Sequence, residues 1–563
     1  MKNQVFTGFI IVLLISLLIP YRVHATLALS DVPLFLTTAV DSNIMFTLDD
    51  SGSMQFEIMP EEKIYGGVVY MFPRAESIYS GNVYSNASVD FDSNNPYAVA
   101  LRSSYVNKIY YDPAIRYQPW SNADGSLMSN ASITCAPHNP TNTGVGCRDL
   151  TTNNTETASW LNSDASLSTS SKTFYPAVYY LYQSGAILST TSYTKVEIKS
   201  SIATYTGSID RTDCASAPTC SYAEEIQNFA NWYTYYRSRI LLSRAGIGKA
   251  FAAQGSNMRV GFGAINKGNT SIDGVMAYTI VRGVRPFTSS NKSTFFSDLY
   301  NHPIYTYGTP LRWAIDDVGR YFRRTDDKGP WGETPGSTGG TQYVCRQNYH
   351  ILMTDGYWND GFSGVGNADN TEGSSITNDT PNAAPASYKY IPTLPYSDSF
   401  SNTLADIAMY YWKTDLRTDL ANKVPTNGKD PAFWQHMVNF TVGLGVSGTL
   451  SELPSGVGSW PDPTASDGAK IDDLWHAAVN SRGEFFSAQN PTAFATGLSQ
   501  VLSNISARTS SAAAVTTNTS RLNSGTRIYQ AKFNSSDWSG QLLSYNLNSD
   551  GSIGTMQWEA SAV

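Results

Sequence analysis

Asp49, Ser51 and Ser53 stand two residues apart, directly after the apolar run Ile44-Met45-Phe46-Thr47-Leu48. One carboxylate and two hydroxyls at that spacing make a cluster of hard oxygen ligands. They suit a cation such as Mg²⁺, which prefers oxygen and keeps water or a partner's group in its remaining positions. A strand ending in a short polar loop sets such side chains at its carboxyl end, where open α/β sheets bind ligands. Taken alone, the same stretch also reads as an ordinary Asp/Ser/Gly turn. A metal needs ligands from more than one loop, and two further positions offer them. Thr309 opens a helix in Gly308-Thr309-Pro310-Leu311, and Asp355 closes an apolar strand in Leu352-Met353-Thr354-Asp355-Gly356. The candidate site is therefore Asp49, Ser51, Ser53, Thr309 and Asp355. Mg²⁺ is the cation expected there, and Mn²⁺ or Ca²⁺ could substitute. Asp50 is expected to point away from the metal, either as an acceptor behind it or as a solvated group.

Several elements must position these residues. Ser221 and Glu224 form a capping box, and Ile226, Phe229, Tyr233, Tyr236, Ile240, Ile247 and Phe251 recur at helical spacing, so one long helix is expected past Phe251. Gly246 and Gly248 each cost about 1 kcal/mol of helix propensity relative to Ala, which predicts close packing of that helix against a sheet. Strands are expected over 258–265, 349–353, 438–446 and 483–487, and helices from Pro310, over 404–416, 471–479 and 490–507. Strands alternating with helices imply α/β architecture: a doubly wound, mostly parallel sheet covered on both faces. The aromatic-rich stretch at about 55–221 and the Gly/Asn/Thr/Pro stretch at 358–399 read as insertions in a domain spanning 41–505. The first is expected to be ordered, because disordered segments are poor in aromatics. Residues 506–525 read as a linker, and 526–563 as the first strands of an all-β unit.

At 563 residues the chain exceeds one ordinary domain of ~50–250 residues. Charged residues make up 15%, against ~25% in typical soluble domains. The net charge of −8 and the lack of a dense basic run argue against nucleic acid and anionic membrane surfaces as partners. Lys2, the apolar segment Val5 to Ile19, Pro20 and Val23-His24-Ala25 predict a secretory signal peptide over 1–25, with an uncleaved anchor as the alternative, followed by a short apolar lead-in over 26–40. No later stretch reaches the ~18 apolar residues of a membrane span. Two local disulfides, Cys135–Cys147 and Cys214–Cys220, are the simplest pairing for an exported chain; they leave Cys345 over, and other pairings remain open. The cysteine spacings do not match zinc sites. With neither H-E-x-x-H nor G-x-S-x-G and only six scattered histidines, no enzyme is expected, and His350 and His436 read as core or strand-edge residues.

Together the three metal pieces, in this order and each on this kind of element, resemble the metal-ion-dependent adhesion site of a von Willebrand factor type A domain. The resemblance extends to whole phrases: Val32-Pro33-Leu34-Phe35-Leu36, Leu48-Asp49-Asp50-Ser51-Gly52-Ser53-Met54, Asn228-Phe229-Ala230-Asn231-Trp232-Tyr233, Cys345-Arg346-Gln347-Asn348-Tyr349, Met353-Thr354-Asp355-Gly356-Tyr357-Trp358-Asn359 and Asp537-Trp538-Ser539-Gly540. In these the chain is similar to the PilC/PilY family of type IV pilus tip-associated adhesins and biogenesis factors. The resemblance implies an N-terminal type A domain followed by a C-terminal β-propeller, of which this sequence would hold only the first strands. It implies location in the periplasm or outer membrane and at the pilus tip, contact with minor pilins, and attachment to a host or abiotic surface receptor through an acidic group. A structural assembly or priming factor whose metal only stabilises the fold, or a truncated non-functional fragment, are the alternatives. Asn546, Asn548, Asp550 and Gly551 echo the family's calcium loop, but Gln557 stands where a bidentate Glu is needed, so a hairpin turn is expected there.

Overall fold

The run Ser42–Leu48 (β1), every residue of it buried, lies inside a six-stranded sheet. Its companions are β2 (Met258–Ala264), β3 (Ile280–Pro286), β4 (Asn348–Thr354), β5 (Val438–Leu444) and β6 (Phe485–Ala488), in the order β3-β2-β1-β4-β5-β6. In this computed structural model the described residues are 40–383, 385–456, 458–488, 490–510, 516–517, 527–534, 539–547 and 553–560. The expected signal peptide, and the lead-in up to residue 39, lie outside them. Strands β2, β1, β4, β5 and β6 pair in parallel, and β3 joins β2 antiparallel, so the sheet is mixed. In register, Ile44 faces both Val260 and Tyr349.

Because successive side chains on a strand point to opposite faces, β1 feeds two cores. Besides the short helix Pro96–Leu101 in the 55–221 stretch, the helices are α1 (Tyr222–Tyr235), α2 (Arg239–Ala252), α3 (Ser289–Asn301), α4 (Leu311–Phe322), α5 (Leu404–Lys413), α6 (Asp467–Asn480) and α7 (Pro491–Ser510). Ile44, Phe46 and Leu48 cluster with Ile247 and Phe251 of α2, Phe295 of α3 and Leu498 of α7. Met45 clusters with Ile315 of α4, Ile407 of α5 and Leu474 of α6. That second face carries a buried polar thread as well. His350 bonds Asn439 Oδ1 through Nδ1 at 2.8 Å and Thr47 Oγ1 through Nε2 at 2.9 Å. His350 is thus a satisfied core residue whose pKa burial lowers to about 4.

The structure departs from the sequence reading in several places. The expected long helix is two. Ser238 caps α2, accepting from Leu241 N at 3.4 Å, while Tyr236 leaves helical geometry and Arg237 turns in to Glu57 at 2.9 Å. The capping box at Ser221 and Glu224 is present. The two helical glycines admit neighbouring helices rather than the sheet: a Cβ on Gly246 would meet Phe494 of α7 at 2.4 Å, and one on Gly248 would meet Tyr300 of α3 at 2.0 Å. Pro310 is the N-cap of α4 rather than part of its first turn. Helix α5 stops at Lys413, and α7 runs to Ser510, inside the stretch read as linker. Strand β3 and helix α3 had no counterpart in the sequence reading. Arg282, Gly283, Arg285 and Pro286 break the apolar pattern of β3, and α3 opens on Ser289-Ser290-Asn291.

The 55–221 stretch is ordered. It carries a three-stranded sheet (Ala87–Val89, Asn154–Leu161, Leu167–Phe174) and the hairpin Val178–Tyr182/Tyr193–Glu197. Its Tyr110, Tyr111 and Phe72 rings pack on Trp232 and Phe229 of α1. Cys135–Cys147 and Cys214–Cys220 are disulfide-bonded and Cys345 is free. Strands Arg527–Asn534, Ser539–Leu547 and Ile553–Glu559 pair antiparallel; of the calcium-loop echo, residues 548–551 lie outside the described set.

Phe46 is fully buried, with its ring 5.5 Å from that of Phe251. Phe46→Ala is expected to cost about 3–5 kcal/mol. Urea unfolding should show this as a lower midpoint at an unchanged slope.

Candidate metal centre

Strands β1 and β4 are parallel neighbours, so Asp49 and Asp355, each the first residue past its strand, emerge side by side at the carboxyl edge of the sheet. Asp49 N donates to Met353 O at 3.0 Å, which locks the two strand ends together. Both carboxylates are fully buried. Asp49 Oδ1 accepts from Ser51 N at 2.8 Å, and Oδ2 from the Thr354 hydroxyl at 2.6 Å. Ser53 Oγ donates to Asp355 Oδ1 at 2.9 Å and lies 3.0 Å from Ser51 Oγ. Since the one Ser53 proton goes to Asp355, the Ser51 hydroxyl must donate to Ser53. Asp49, Ser51, Ser53 and Asp355 are therefore one connected network.

Thr309 reaches the site by a different route. The Tyr307–Thr309 segment lies against the Ser51–Ser53 loop, with Gly52 N donating to Tyr307 O at 2.9 Å. Thr309 N donates to Asn359 Oδ1 at 2.8 Å, which ties it to the loop after Asp355. Thr309 is buried on a neighbouring loop, and no bond links its hydroxyl to the other four. Asp50 turns away from them, as expected. Its Oδ2 is 2.8 Å from His302 Nε2 and its Oδ1 accepts from Asn266 N at 2.8 Å, so it is a buried acceptor behind the site rather than a solvated one.

Four residues the sequence reading did not assign complete the surroundings. Arg239, the first residue of α2, donates from Nη1 to Asp355 Oδ2 at 2.9 Å and from Nε to Ile58 O at 3.1 Å. Thr354 holds Asp49 and Asn359 holds Thr309, as above. Tyr84, from the 55–221 insertion, packs so closely that a Cβ on Gly52 would meet its Oη at 2.3 Å. Thr354 and Asn359 lie within the Met353–Asn359 phrase and were open to notice. Arg239 and Tyr84 arrive from distant sequence, and no local pattern marks them.

Two buried carboxylates face one guanidinium. Burial, and then the charge of Asp355, pushes Asp49 up to about 7. The all-oxygen donor set and this deficit of positive charge fit a hard divalent cation. Asp49, Ser51, Ser53 and Asp355 would hold it, with Thr309 on the adjoining loop. Such an ion would keep both carboxylates ionised and offer an open position to an outside ligand.

No family model matches the chain. It is 31% identical over 592 aligned residues to "Type IV pilus biogenesis factor PilY1" of Pseudomonas aeruginosa strain PAK, covering 96% of this chain and 45% of that protein. The like-named protein of strain UCBPP-PA14 is 33% identical over 605 aligned residues, covering 98% of this chain and 46% of that protein. The chain thus spans about half the length of the curated relatives it matches. Among solved structures, the pilus adhesin SpaC of Lactobacillus rhamnosus GG overlaps 53% of this chain and 34% of its own at a TM-score of 0.23 and 11% identity, too slight a likeness to carry an argument.

A carboxyl whose folded pKa lies above its unfolded value binds more protons folded than unfolded, so it favours folding at low pH and loses that contribution as pH rises through the folded pKa. With metal removed, stability should therefore fall between about pH 4 and about pH 7 as Asp49 ionises, by on the order of 3 kcal/mol from this group. Asp49→Asn should flatten that part of the profile in chemical unfolding from pH 4 to 8.

Proposed function

We propose, from the premise that this is a PilC/PilY-type chain, that it is an exported, metal-dependent binding protein of the type IV pilus that acts at the pilus tip in surface attachment and pilus biogenesis. The observation that carries this reading is the bonded network of Asp49, Ser51, Ser53 and Asp355 at the carboxyl edge of the sheet. The mixed six-stranded sheet, with helices on both faces and three loops meeting at that edge, supports reading residues 41–505 as a von Willebrand factor type A domain with insertions at about 55–221 and 358–399. The antiparallel strands from Arg527 to Glu559 support an all-β, propeller-type continuation. No helix among the described residues is long and apolar enough to cross a membrane.

In this reading the protein binds rather than catalyses. The cation, Mg²⁺ with Mn²⁺ or Ca²⁺ as substitutes, presents its open position to an acidic group of a minor pilin or of a host or abiotic surface receptor. Exposed aromatic side chains lie near Thr309 in the chain. Tyr307 is 53% exposed and stacks on Tyr305 at 5.1 Å, and Trp313 is 44% exposed and packs on Phe362 at 4.9 Å. Amphipathic rings of this kind are common anchors at protein interfaces. A structural assembly role, with the metal only stabilising the fold, is the second reading, favoured by the direct link of Arg239 to Asp355, which shows a cation already serving the fold there.

Asp49→Ala and Asp355→Ala should each weaken Mg²⁺ or Mn²⁺ binding at least tenfold in calorimetric titration, whereas Arg239→Gln should not lose the ion. Unchanged occupancy in both aspartate variants would sink the site. In cells, Asp49→Ala that leaves pili intact but non-adherent supports attachment, and loss of pili supports assembly.

A further inference from the structure

A second set of ligand-type side chains gathers where the 358–399 insertion meets α6. Asp369 and Asp398 come from the insertion and His476 from the helix, and one ligand atom of each lies within 4.8 Å of the other two. His476 Nε2 is 3.6 Å from Asp369 Oδ2, and His476 Nδ1 is 3.4 Å from Asp398 Oδ2; these side chains are at most 3% exposed. Among the described residues neither carboxylate has a Lys or Arg ion-pair partner. Lys413 directs its ammonium to the carbonyls of Ala368 and Thr371, each at 2.6 Å.

The neutral imidazole cannot satisfy both of its sides. With the proton on Nε2, which lies 3.2 Å from Tyr396 O, the Nδ1 lone pair faces the Asp398 carboxylate. With the proton on Nδ1, the Nε2 lone pair faces a carbonyl and Asp369. With both carboxylates ionised, the group holds two negative charges and one neutral ring, and a cation would balance them. An independent sign of the same gap is Asn480, fully buried and one helical turn past His476. Its Nδ2 donates to Asp369 Oδ2 at 3.0 Å and to Ala405 O at 3.1 Å, and its buried Oδ1 makes no well-formed hydrogen bond, although the side chain lies close enough to the His476 ring to favour a proton there.

We propose that Asp369, Asp398 and His476 form a structural site for a divalent transition-metal ion of the Zn²⁺ class. Two carboxylate oxygens and one imidazole nitrogen are a borderline donor set, suited to Zn²⁺ or Mn²⁺ rather than to the hard cation of the all-oxygen centre. Near-complete burial argues for a fold-holding ion, not one that meets substrate. The ion would bind both ends of the insertion to α6. The surroundings are already rigid: Asp398 N donates to Asp369 Oδ1 at 3.1 Å, and Trp460 stacks on His476 at 4.1 Å while donating to Pro395 O at 2.8 Å. The site uses none of the residues of the Asp49 centre.

The test uses the full chain, stripped with a chelator and titrated with Co²⁺ as a spectroscopic probe. Beside any ion taken up at the Asp49 centre, one equivalent should bind with a visible absorption band characteristic of nitrogen ligation, and Zn²⁺ should displace it. The band should persist in Asp355→Ala and weaken at least tenfold in His476→Gln and Asp398→Asn, and Zn²⁺ should raise the melting temperature of the wild type but not of those two variants. No band in the wild type with excess Co²⁺, or a band unchanged in both variants, overturns the proposal. Should a variant fail to fold, the titration of Asp355→Ala, in which the other centre is disabled, decides: a nitrogen-ligated band there supports the site and its absence overturns it.

Discussion

The bond on which the rest of the site depends joins Arg239 to Asp355. A cation in the first turn of a helix opposes the helix dipole, so Arg239 at the start of α2 needs compensation. Asp355 Oδ2 and the Ile58 carbonyl supply it. That requirement gives the break between α1 and α2 a physical meaning. A continuous helix would carry Arg237 and Arg239 around its axis on a fixed pitch. Ending α1 at Tyr235 and restarting at the Ser238 cap sends Arg237 to Glu57 and Arg239 to Asp355, both buried pairs. Burial makes these pairs matter, because removing one partner would strand the other charge without water.

The long insertion is a wall of the site as much as an appendage. Ile304 N donates to Tyr79 O at 3.1 Å and Thr306 N to Asn82 Oδ1 at 2.9 Å, so the segment leading to Thr309 is held from the insertion side. Gln55 bridges the Asn82 and Ile304 carbonyls at 2.8 and 3.2 Å. Tyr84 closes over Gly52, where any side chain would collide. The insertion in turn is organised by Arg102, fully buried, whose Nη2 donates to the Met71 and Val89 carbonyls at 2.8 and 3.0 Å. Dehydration of Asp49 and Asp355 thus comes partly from residues far away in sequence.

What could be read from the sequence follows from what is local. The strands β1 and β4 are apolar runs, β5 alternates apolar and small or polar residues, and the capping box at Ser221 is a four-residue signal; all were legible. The position of Asp49, Ser51, Ser53 and Asp355 was legible too, because the two aspartates directly follow such strands and the two serines lie in the loop after β1. The Asp50 contacts, the Arg239 pair and the break after Tyr235 were not, since tertiary partners decide them. Nor was β3, an edge strand whose arginines meet Asp298 and Asp273 instead of a core. The Asp369, Asp398 and His476 group had no sequence signature, because its members are dispersed over an irregular loop and a helix.

Charge explains how an arginine and a metal could serve one centre. Of the groups that touch the network directly, Asp49 and Asp355 together with Arg239 leave one negative charge, with Asp50 set behind them against His302. A divalent cation would turn that into one positive charge, in surroundings that screen poorly. On the reading proposed above, this residual charge makes an acidic ligand the favoured partner, since only an anion restores neutrality at the open position. Without Arg239 the same ion would be neutralised by the two carboxylates alone, and an outside anion would gain much less. On that same reading Arg239 would favour an anionic partner at the centre, while its bond to Asp355 secures the start of α2 beside the sheet edge.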